Sequence, residues 1–533
     1  MINKIKKLVL PLVVFAAMAI PAAVNAQIDD KNKIQSLLQL IDYAYVDTVD
    51  KKKVTEDAIR AILKDCDPHS QYIPAEDLKD VNEPLVGKFD GIGVTFNILN
   101  DTIMVTQTIA GGPSEKVGIR AGDRIVTIEG NTVAGIKIKN SDVLKQLRGD
   151  KGTKVTVGIF RRDSPELLDF TITRDKIPIY SVEASYVAAP EIGYIKIARF
   201  ADSTVDEFKD ALKKLQEKGI KHLILDLQGN GGGYLERAIG LADEFLSDKK
   251  LVVYTKGRTA PKQESYASTS GGFEKGKLVV LIDEYSASAS EIVSGAVQDW
   301  DRGLVVGRRS FGKGLVQKPF PLPDGSAVRL TIARYYTPSG RCIQKPYLPG
   351  EEENYEMDIM NRRKNGEFTN ADSIQMKDTI KYFTNAKRIV YAGGGIMPDV
   401  FVPLDTSMSS KFLLDLIRKG IIPEFTLTYA DNNRKSLLAS YPNINDFRKN
   451  FQLSEEFMNE FFAKAEKQGV PKDEEGYTIS GPHLRQQMKA LIARDLWNSD
   501  AYWEVMNETN KTFLKGVETI QDNTFSKMKI ANN

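Results

Sequence analysis

Histidine and cysteine are nearly absent from this chain. Its 533 residues include three histidines (His69, His222, His483) and two cysteines (Cys66, Cys342). Zinc fingers and iron–sulfur clusters draw several ligands from these residue types at close spacing, and disulfide scaffolds need several cysteine pairs. All three classes are excluded, no metal or other cofactor is called for, and Cys66 and Cys342 read as separate thiols. A charge excess of either sign is also lacking: 73 Lys plus Arg stand against 71 Asp plus Glu, a net charge of +2. Nucleic-acid binding rests on many cationic contacts to phosphate, so no nucleic-acid partner is expected. The 42% hydrophobic and 27% charged content is that of a folded globular protein, not of a disordered or multi-span membrane chain.

Long apolar runs are missing except near the start. Leu8 to Ala23 is apolar, but it is interrupted by Pro11 and Pro21 and falls short of the about 20 residues of a membrane helix. Lys4, Lys6 and Lys7 precede this run and Val24-Asn25-Ala26 follows it, so residues 1–26 read as a secretory signal peptide cleaved before Gln27. The expectation is an exported, periplasmic protein, with an N-terminally membrane-anchored form as the alternative.

At about 100–200 residues per domain, the length suggests three or four folded units. Residues 27–84 carry helical periodicity that ends at the breaker cluster Cys66-Asp67-Pro68-His69-Ser70. Residues 85–176 change to short alternating strands and glycine turns, with one short helix at Ser141–Leu147. Residues 177–345 alternate strand and helix: His222–Leu227, Leu251–Tyr254, Leu278–Ile282 and Leu304–Val306 read as strands, and Val205–Lys218, Tyr234–Phe245 and Ala289–Trp300 as helices. Thr204 and Glu207 suggest a capping box on the first of these helices. Such alternation argues for a largely parallel sheet covered by helices. Residues 346–390 are polar and read as an insertion loop, 391–408 as a return to the core, and 409–533 as a helical C-terminal domain.

Ligands of a parallel sheet collect beyond the carboxyl ends of its strands. Three loops converge there. Gln228-Gly229-Asn230-Gly231-Gly232-Gly233 offers backbone N–H groups. Ser286-Ala287-Ser288-Ala289-Ser290 offers a hydroxyl at a helix start, and Ser310-Phe311-Gly312-Lys313-Gly314 offers one lysine between glycines. Each has a plainer role alone. The glycines lack phosphate-loop spacing, the serines can cap the helix, and Lys313 can be a surface lysine. On one sheet edge they outline a serine–lysine hydrolase. Lys313 also lies four positions before Gln317 in a strand-like run, where the two can share a face.

The runs SASASEIVSGAVQD (286–299), FGKG with LVQ (311–317), DLQGNGGG (226–233) and YYTPSGR (335–341) resemble the C-terminal processing peptidases, or tail-specific proteases. These are exported serine proteases with a PDZ domain. The resemblance extends from Asp67-Pro68-His69-Ser70 to Pro398-Asp399, about 330 residues. It implies a multi-domain α/β protein with a crotonase/ClpP-like protease core, a PDZ-like β-rich domain and helical N- and C-terminal regions. It further implies Ser288 as nucleophile, Lys313 as general base, Gln317 as the residue supporting it and Asp299 as a possible further support. Gln228 departs from the family, where arginine is more usual. Lysine is protonated at neutral pH unless burial lowers its pKa by several units, so Lys313 must be desolvated. The backbone N–H groups of Gly232 and Ala289 would receive the oxyanion. The three histidines then read as structural or exposed, which argues against a Ser-His-Asp triad.

Gly91-Ile92-Gly93-Val94 resembles the carboxylate-binding loop of PDZ domains. Its N–H groups would hold a C-terminal carboxylate while the peptide adds a strand, and Ile92 and Val94 with Val143 or Leu147 would form an apolar pocket. The implied partners are proteins or peptides with unstructured apolar C-termini, and the helical regions are available to a homo-oligomer or an adaptor. Two alternatives stand beside this: a catalytically silent tail-binding scaffold or chaperone, and an acyl-transferring enzyme of the crotonase type.

Overall fold

The computed structural model describes residues 30–109, 111–162, 164–268, 271–348, 352–375 and 380–530; the expected signal peptide lies outside them. Residues up to Ile62 form one unit, in which the helix Asp30–Ala44 is followed by the start of the helix Lys51–Lys64. From Leu63 onward the chain forms a second unit.

The centre of this second unit is a six-stranded sheet. Val182–Ala189 pairs antiparallel with Ile192–Ile197, and then His222–Asp226, Leu278–Ile282, Leu304–Gly307 and Val400–Phe401 follow in parallel. Period-two alternation gives each strand two apolar faces. Leu223, Leu225, Leu278, Val280, Ile282 and Val305 face the helices Thr204–Glu217, Leu235–Asp243 and Ala289–Asp299. Ile224, Val279, Leu281, Leu304 and Val306 face the other side, where Phe513, Ile520 and Phe525 of the last two helices cover them. Being buried on both faces explains why these strands are continuously apolar in sequence. Each such side chain contributes about 1.5–3 kcal/mol of burial free energy.

Several local expectations change. Glu207 closes no capping box with Thr204; its carboxylate accepts from Ser181 N and Val182 N and from Ser203 Oγ, tying the helix to the neighbouring strand. Leu251–Lys256 leaves the central sheet and joins a second, antiparallel one with Gln263–Tyr266 and Ala327–Tyr336. In that sheet Ala327–Tyr336 also pairs with Leu315–Pro321 and with the short strand Gln71–Ile73. The polar segment 346–390 is not a bare loop. It holds the helices Glu352–Glu356 and Asp358–Lys364 and the hairpin Lys381–Phe383/Ile389–Tyr391. Buried Tyr355 and Arg362 anchor it, the Arg362 guanidinium donating to Arg309 O at 2.7 Å and Ser310 O at 3.0 Å.

The strand-rich unit orders its strands Val94–Leu99, Thr102–Thr108, Arg124–Ile128, Lys154–Phe160 and Leu168–Thr173, so Val94–Leu99 is an edge. The helix Asn140–Leu147 packs Val143 and Leu147 into its core. Helices from Lys411 to Met506 form a separate aromatic-rich core. Asp431 on this helical layer pairs with Arg124 at 2.8 Å and Arg162 at 3.0 Å of the strand-rich unit.

The C-terminal end of Ala289–Asp299 is held by buried charge. Asp299 Oδ1 accepts from Arg341 Nη2 at 2.8 Å and Oδ2 from Ser339 N at 2.9 Å, and both ion-pair side chains are fully buried. Removing one partner of a buried pair leaves the other uncompensated, at about 3–5 kcal/mol. Asp299→Ala is therefore expected to lower the unfolding free energy by about 3–5 kcal/mol in urea titrations. A loss below about 1 kcal/mol, the worth of an exposed pair, would contradict this role.

Candidate active site

The three loops meet through their own polar groups. Asn230 O accepts from Ala287 N at 3.0 Å and from Ser290 Oγ at 2.9 Å, joining the glycine loop to the serine loop. Ser286 Oγ donates to Leu227 O at 2.8 Å, and Ser286 O accepts from Phe311 N at 3.0 Å, joining the serine loop to the lysine loop. Two of the three serines are thus spent on structure. Ser288 is not. It sits at φ +56°, ψ −111° on the sharp turn into the helix Ala289–Asp299. For a side chain with a Cβ this conformation costs about 1–3 kcal/mol and persists only where the surroundings impose it. Strand-to-helix turns of this strained kind present nucleophiles. Gly232 is packed against it: a Cβ there would lie 2.8 Å from Ser288 Cβ, at a φ of +102°.

Glu291 imposes the geometry. Its fully buried carboxylate accepts from Ser288 N at 2.8 Å, Gly312 N at 2.7 Å, Lys313 N at 2.9 Å and Ser310 Oγ at 2.5 Å. One oxygen, Oε2, bridges the backbones of Ser288 and Lys313. Burial pushes this carboxyl up to about 7, against the four donors that favour its charge. The Tyr335 hydroxyl makes a second bridge, donating to Ser288 O at 3.0 Å and to Lys313 O.

Lys313 Nζ donates to Gln317 Oε1 at 3.2 Å. No carboxylate among the described residues is within ion-pair distance of it. Burial lowers its pKa, the Arg329 charge lowers it further, and Glu291 and Asp67 oppose from longer range. Gln317 is oriented from its other end, where Nε2 donates to His69 O. That carbonyl belongs to a rigid turn: Asp67 Oδ1 accepts from His69 N and Ser70 N, both at 2.9 Å, and from Thr331 Oγ1 at 3.0 Å. The His69 ring is bonded to the Tyr355 hydroxyl at 2.8 Å, and burial and then the Lys313 charge push its pKa down to about 3, so it is neutral. The Asp67–Ser70 turn, read in sequence as a helix breaker and as the first run of the family resemblance, thus reaches the lysine through Gln317. Glu291 and Tyr335 stand inside the runs SASASEIVSGAVQD and YYTPSGR but are singled out there for no role, and Tyr355 carries no signal beyond aromatic character.

Some expected contacts are not made. Ser288 Oγ and Lys313 Nζ share no hydrogen bond in this state. The Gly232 N–H already donates to Asn230 Oδ1 at 2.8 Å, so it is engaged inside its own loop, not free for an oxyanion. The Ala289 N–H, at the helix start, meets no acceptor among the described residues. Asp299 lies at the other end of its helix, about 16 Å along the axis, and touches none of these groups. Behind Gln228, Lys196 Nζ donates to Gln228 O at 3.1 Å and pairs with Asp226 Oδ2 at 3.4 Å.

In the strand-rich unit, Gly91 pairs with Asp175, Ile92 O accepts from Ser114, and Gly93 O accepts from Ile109 N. The N–H groups of Ile92 and Gly93 have no acceptor among the described residues. Ile92, Val143 and Leu147 are buried in the core of this unit and Val94 packs against it. Cys66 and Cys342 are not joined in a disulfide. Among the described residues no helix is long and apolar enough to cross a membrane, and no cluster of His, Cys, Asp or Glu is placed to hold a metal ion.

Residues 191–356 match peptidase family S41, residues 91–172 match the PDZ domain, and residues 412–498 match a family of unknown function. The carboxy-terminal-processing protease of Bartonella bacilliformis is 39% identical over 56% of this chain and 69% of its own length. The carboxy-terminal processing protease CtpB of Bacillus subtilis is 34% identical over 70% of this chain and 77% of its own. A solved photosystem II D1 C-terminal processing protease is 26% identical, covering 71% of this chain and 88% of that one with a TM-score of 0.37. With its S41 core, its PDZ domain and these relatives, the chain belongs to the carboxy-terminal processing proteases, serine peptidases of family S41.

Proposed function

We propose that Ser288 and Lys313 are the nucleophile and general base of this serine peptidase, acting on proteins whose unstructured, apolar C-terminal tails are captured by the PDZ domain. The observation that carries this is the amine of Lys313. It is desolvated, held by a neutral glutamine rather than a carboxylate, and clamped through Glu291 to the backbone of Ser288. A lysine in that setting is available as a free base at a pH where an exposed lysine is not.

As Ser288 Oγ attacks the scissile carbonyl carbon, its proton passes to Lys313 Nζ. The oxyanion gathers at the Ala289 N–H and the positive end of the helix dipole. Gly232 supplies a second donor once its amide is released from Asn230. Lys313 then returns the proton to the leaving amine as the C–N bond breaks, and water, deprotonated by the same lysine, hydrolyses the acyl-enzyme. Rotation of the Ser288 side chain on substrate binding closes the hydrogen bond that the free protein lacks. Asp299 acts through the fold, not at the reacting atoms. In the PDZ domain the unpaired amides of Ile92 and Gly93 receive the tail carboxylate, and the edge strand Val94–Leu99 receives the tail. The leader at residues 1–26 supports export of the mature chain; N-terminal sequencing of the exported protein should read Gln27 first, and an intact Met1 terminus would favour the anchored form.

The test uses the full mature chain and an unstructured substrate with an apolar tail. Ser288→Ala should abolish cleavage, and Lys313→Ala should lower it by about 10²–10⁴-fold with the circular dichroism spectrum unchanged. Wild-type cleavage should rise with pH, because deprotonating Lys313 and ionising Glu291 both favour the active form. The rise should be complete well below the ordinary lysine range. Amidating the tail should weaken its binding. Full cleavage by Lys313→Ala contradicts the dyad, and equal affinity for the amidated tail contradicts capture by the PDZ loop. Tail binding without cleavage by the wild type would return the scaffold reading.

A further inference from the structure

Arg329 lies on the antiparallel ribbon that carries Gln317, and among the described residues its side chain has no partner. It lies on Ala327–Tyr336, paired with Pro319 of Leu315–Pro321 on one side and Gln71 on the other. In the same register Thr331 is paired with Gln317. Residues two apart on a strand share a face, so Arg329 stands on the face from which Gln317 reaches Lys313 and Thr331 reaches Asp67. Its charge is felt at Lys313 on one side and at the hydroxyl of Tyr234, the residue after the glycine loop, on the other. Its charge thus acts both on the base and on the residue that follows the glycine loop.

It is half-buried, yet among the described residues it has neither an ion-pair partner nor a side-chain hydrogen bond. Five other arginines of this core are engaged in ion pairs. Arg308 pairs with Glu284, Arg309 and Arg362 with Glu367, Arg341 with Asp299, and Arg388 with Asp301 and Asp399. Desolvating a guanidinium without an acceptor is unfavourable, and a planar carboxylate delivered to it would make two charge-assisted hydrogen bonds.

We propose that Arg329 is a carboxylate subsite of the peptide cleft, receiving an acidic group of the bound chain close to the scissile bond. The inference rests on the protease reading of the Ser288 site. The shared chemistry is a carboxylate, supplied either by an Asp or Glu side chain or by a nearby free chain terminus. Unoccupied, the same guanidinium helps keep the Lys313 amine uncharged; Glu291 and Asp67 oppose it there, and His69 is neutral. Neutralising Arg329 by pairing shifts that balance toward protonation, which favours proton uptake from Ser288 once an acidic substrate is seated.

The experiment compares kcat/KM for peptides identical except for one acidic residue replaced by its amide, scanned over the positions flanking the scissile bond. A second arm replaces a free C-terminal carboxylate by its amide in a peptide cut near its end. Wild-type protein is expected to prefer the acid over the amide by about tenfold, equivalent to about 1.4 kcal/mol, in the arm that supplies the natural ligand. Arg329→Gln should bring that ratio to near one, and Arg329→Lys should retain part of it. Arg329→Gln should also move the acid limb of the pH profile upward, because Lys313 loses a repelling charge. An acid-to-amide ratio that is equal in wild type and Arg329→Gln, or near one in wild type in both arms, overturns the subsite. If wild type cleaves none of the peptides, the protease reading fails first. Peptide affinity measured by fluorescence anisotropy on Ser288→Ala, with and without Arg329→Gln, then decides the subsite alone, and the same equality overturns it.

Discussion

The site depends on one buried carboxylate. Glu291 is the third residue of the helix that begins after Ser288, so the chain places it one turn from Ser288 whatever the rest of the fold does. Its two oxygens collect donors from the serine turn and from the lysine loop. Without it, the unfavourable φ at Ser288 and three backbone N–H groups would have no compensation inside a dry core. The carboxylate thereby fixes the two reactive residues to each other through main chain, leaving both side chains free to move. This explains how the groups can be aligned while Ser288 Oγ and Lys313 Nζ are still unbonded.

A second layer fixes the lysine from outside the central sheet. Gln317 lies on the antiparallel ribbon and takes its orientation from the carbonyl of His69, which the Asp67 carboxylate holds in its turn. The route from Asp67 to Lys313 passes entirely through neutral or backbone groups, and this matters chemically. A carboxylate bonded to Nζ would stabilise the ammonium and raise its pKa, whereas an amide oxygen supports the amine without doing so. The segment Asp67–Ser70 is therefore tied to Lys313, although it is remote from it in sequence. The helical C-terminal region divides in the same spirit: one part holds the PDZ domain through Asp431, and the last helices complete the central sheet.

The parts readable from sequence were those with a local cause. Strands such as Leu278–Ile282 are apolar at every position because both faces are buried, and the glycine, serine and lysine loops follow strand ends, where chain order alone brings them to one edge. The motifs they carry placed the chain in its family. What could not be read depended on side chains meeting across long separations. Glu291 resembled an ordinary helix-start acid, and the engagement of the Gly232 amide by Asn230 is invisible in a glycine-rich string. The segment 346–390 looked like solvated loop because its anchors, Tyr355 and Arg362, are two residues in a polar run. Leu251–Lys256 carries the same apolar pattern as the central strands but pairs elsewhere, a choice made by partners and not by period.

The account stands on Lys313 being a neutral amine where an exposed lysine would be charged. Its titration can be followed directly by NMR in protein labelled at the lysine ε-carbon, with the resonance assigned by its loss in Lys313→Arg. The account predicts a midpoint well below the ordinary lysine value of about 10.4. A midpoint at or above that value would mean that Lys313 is an ammonium at working pH and is not the base.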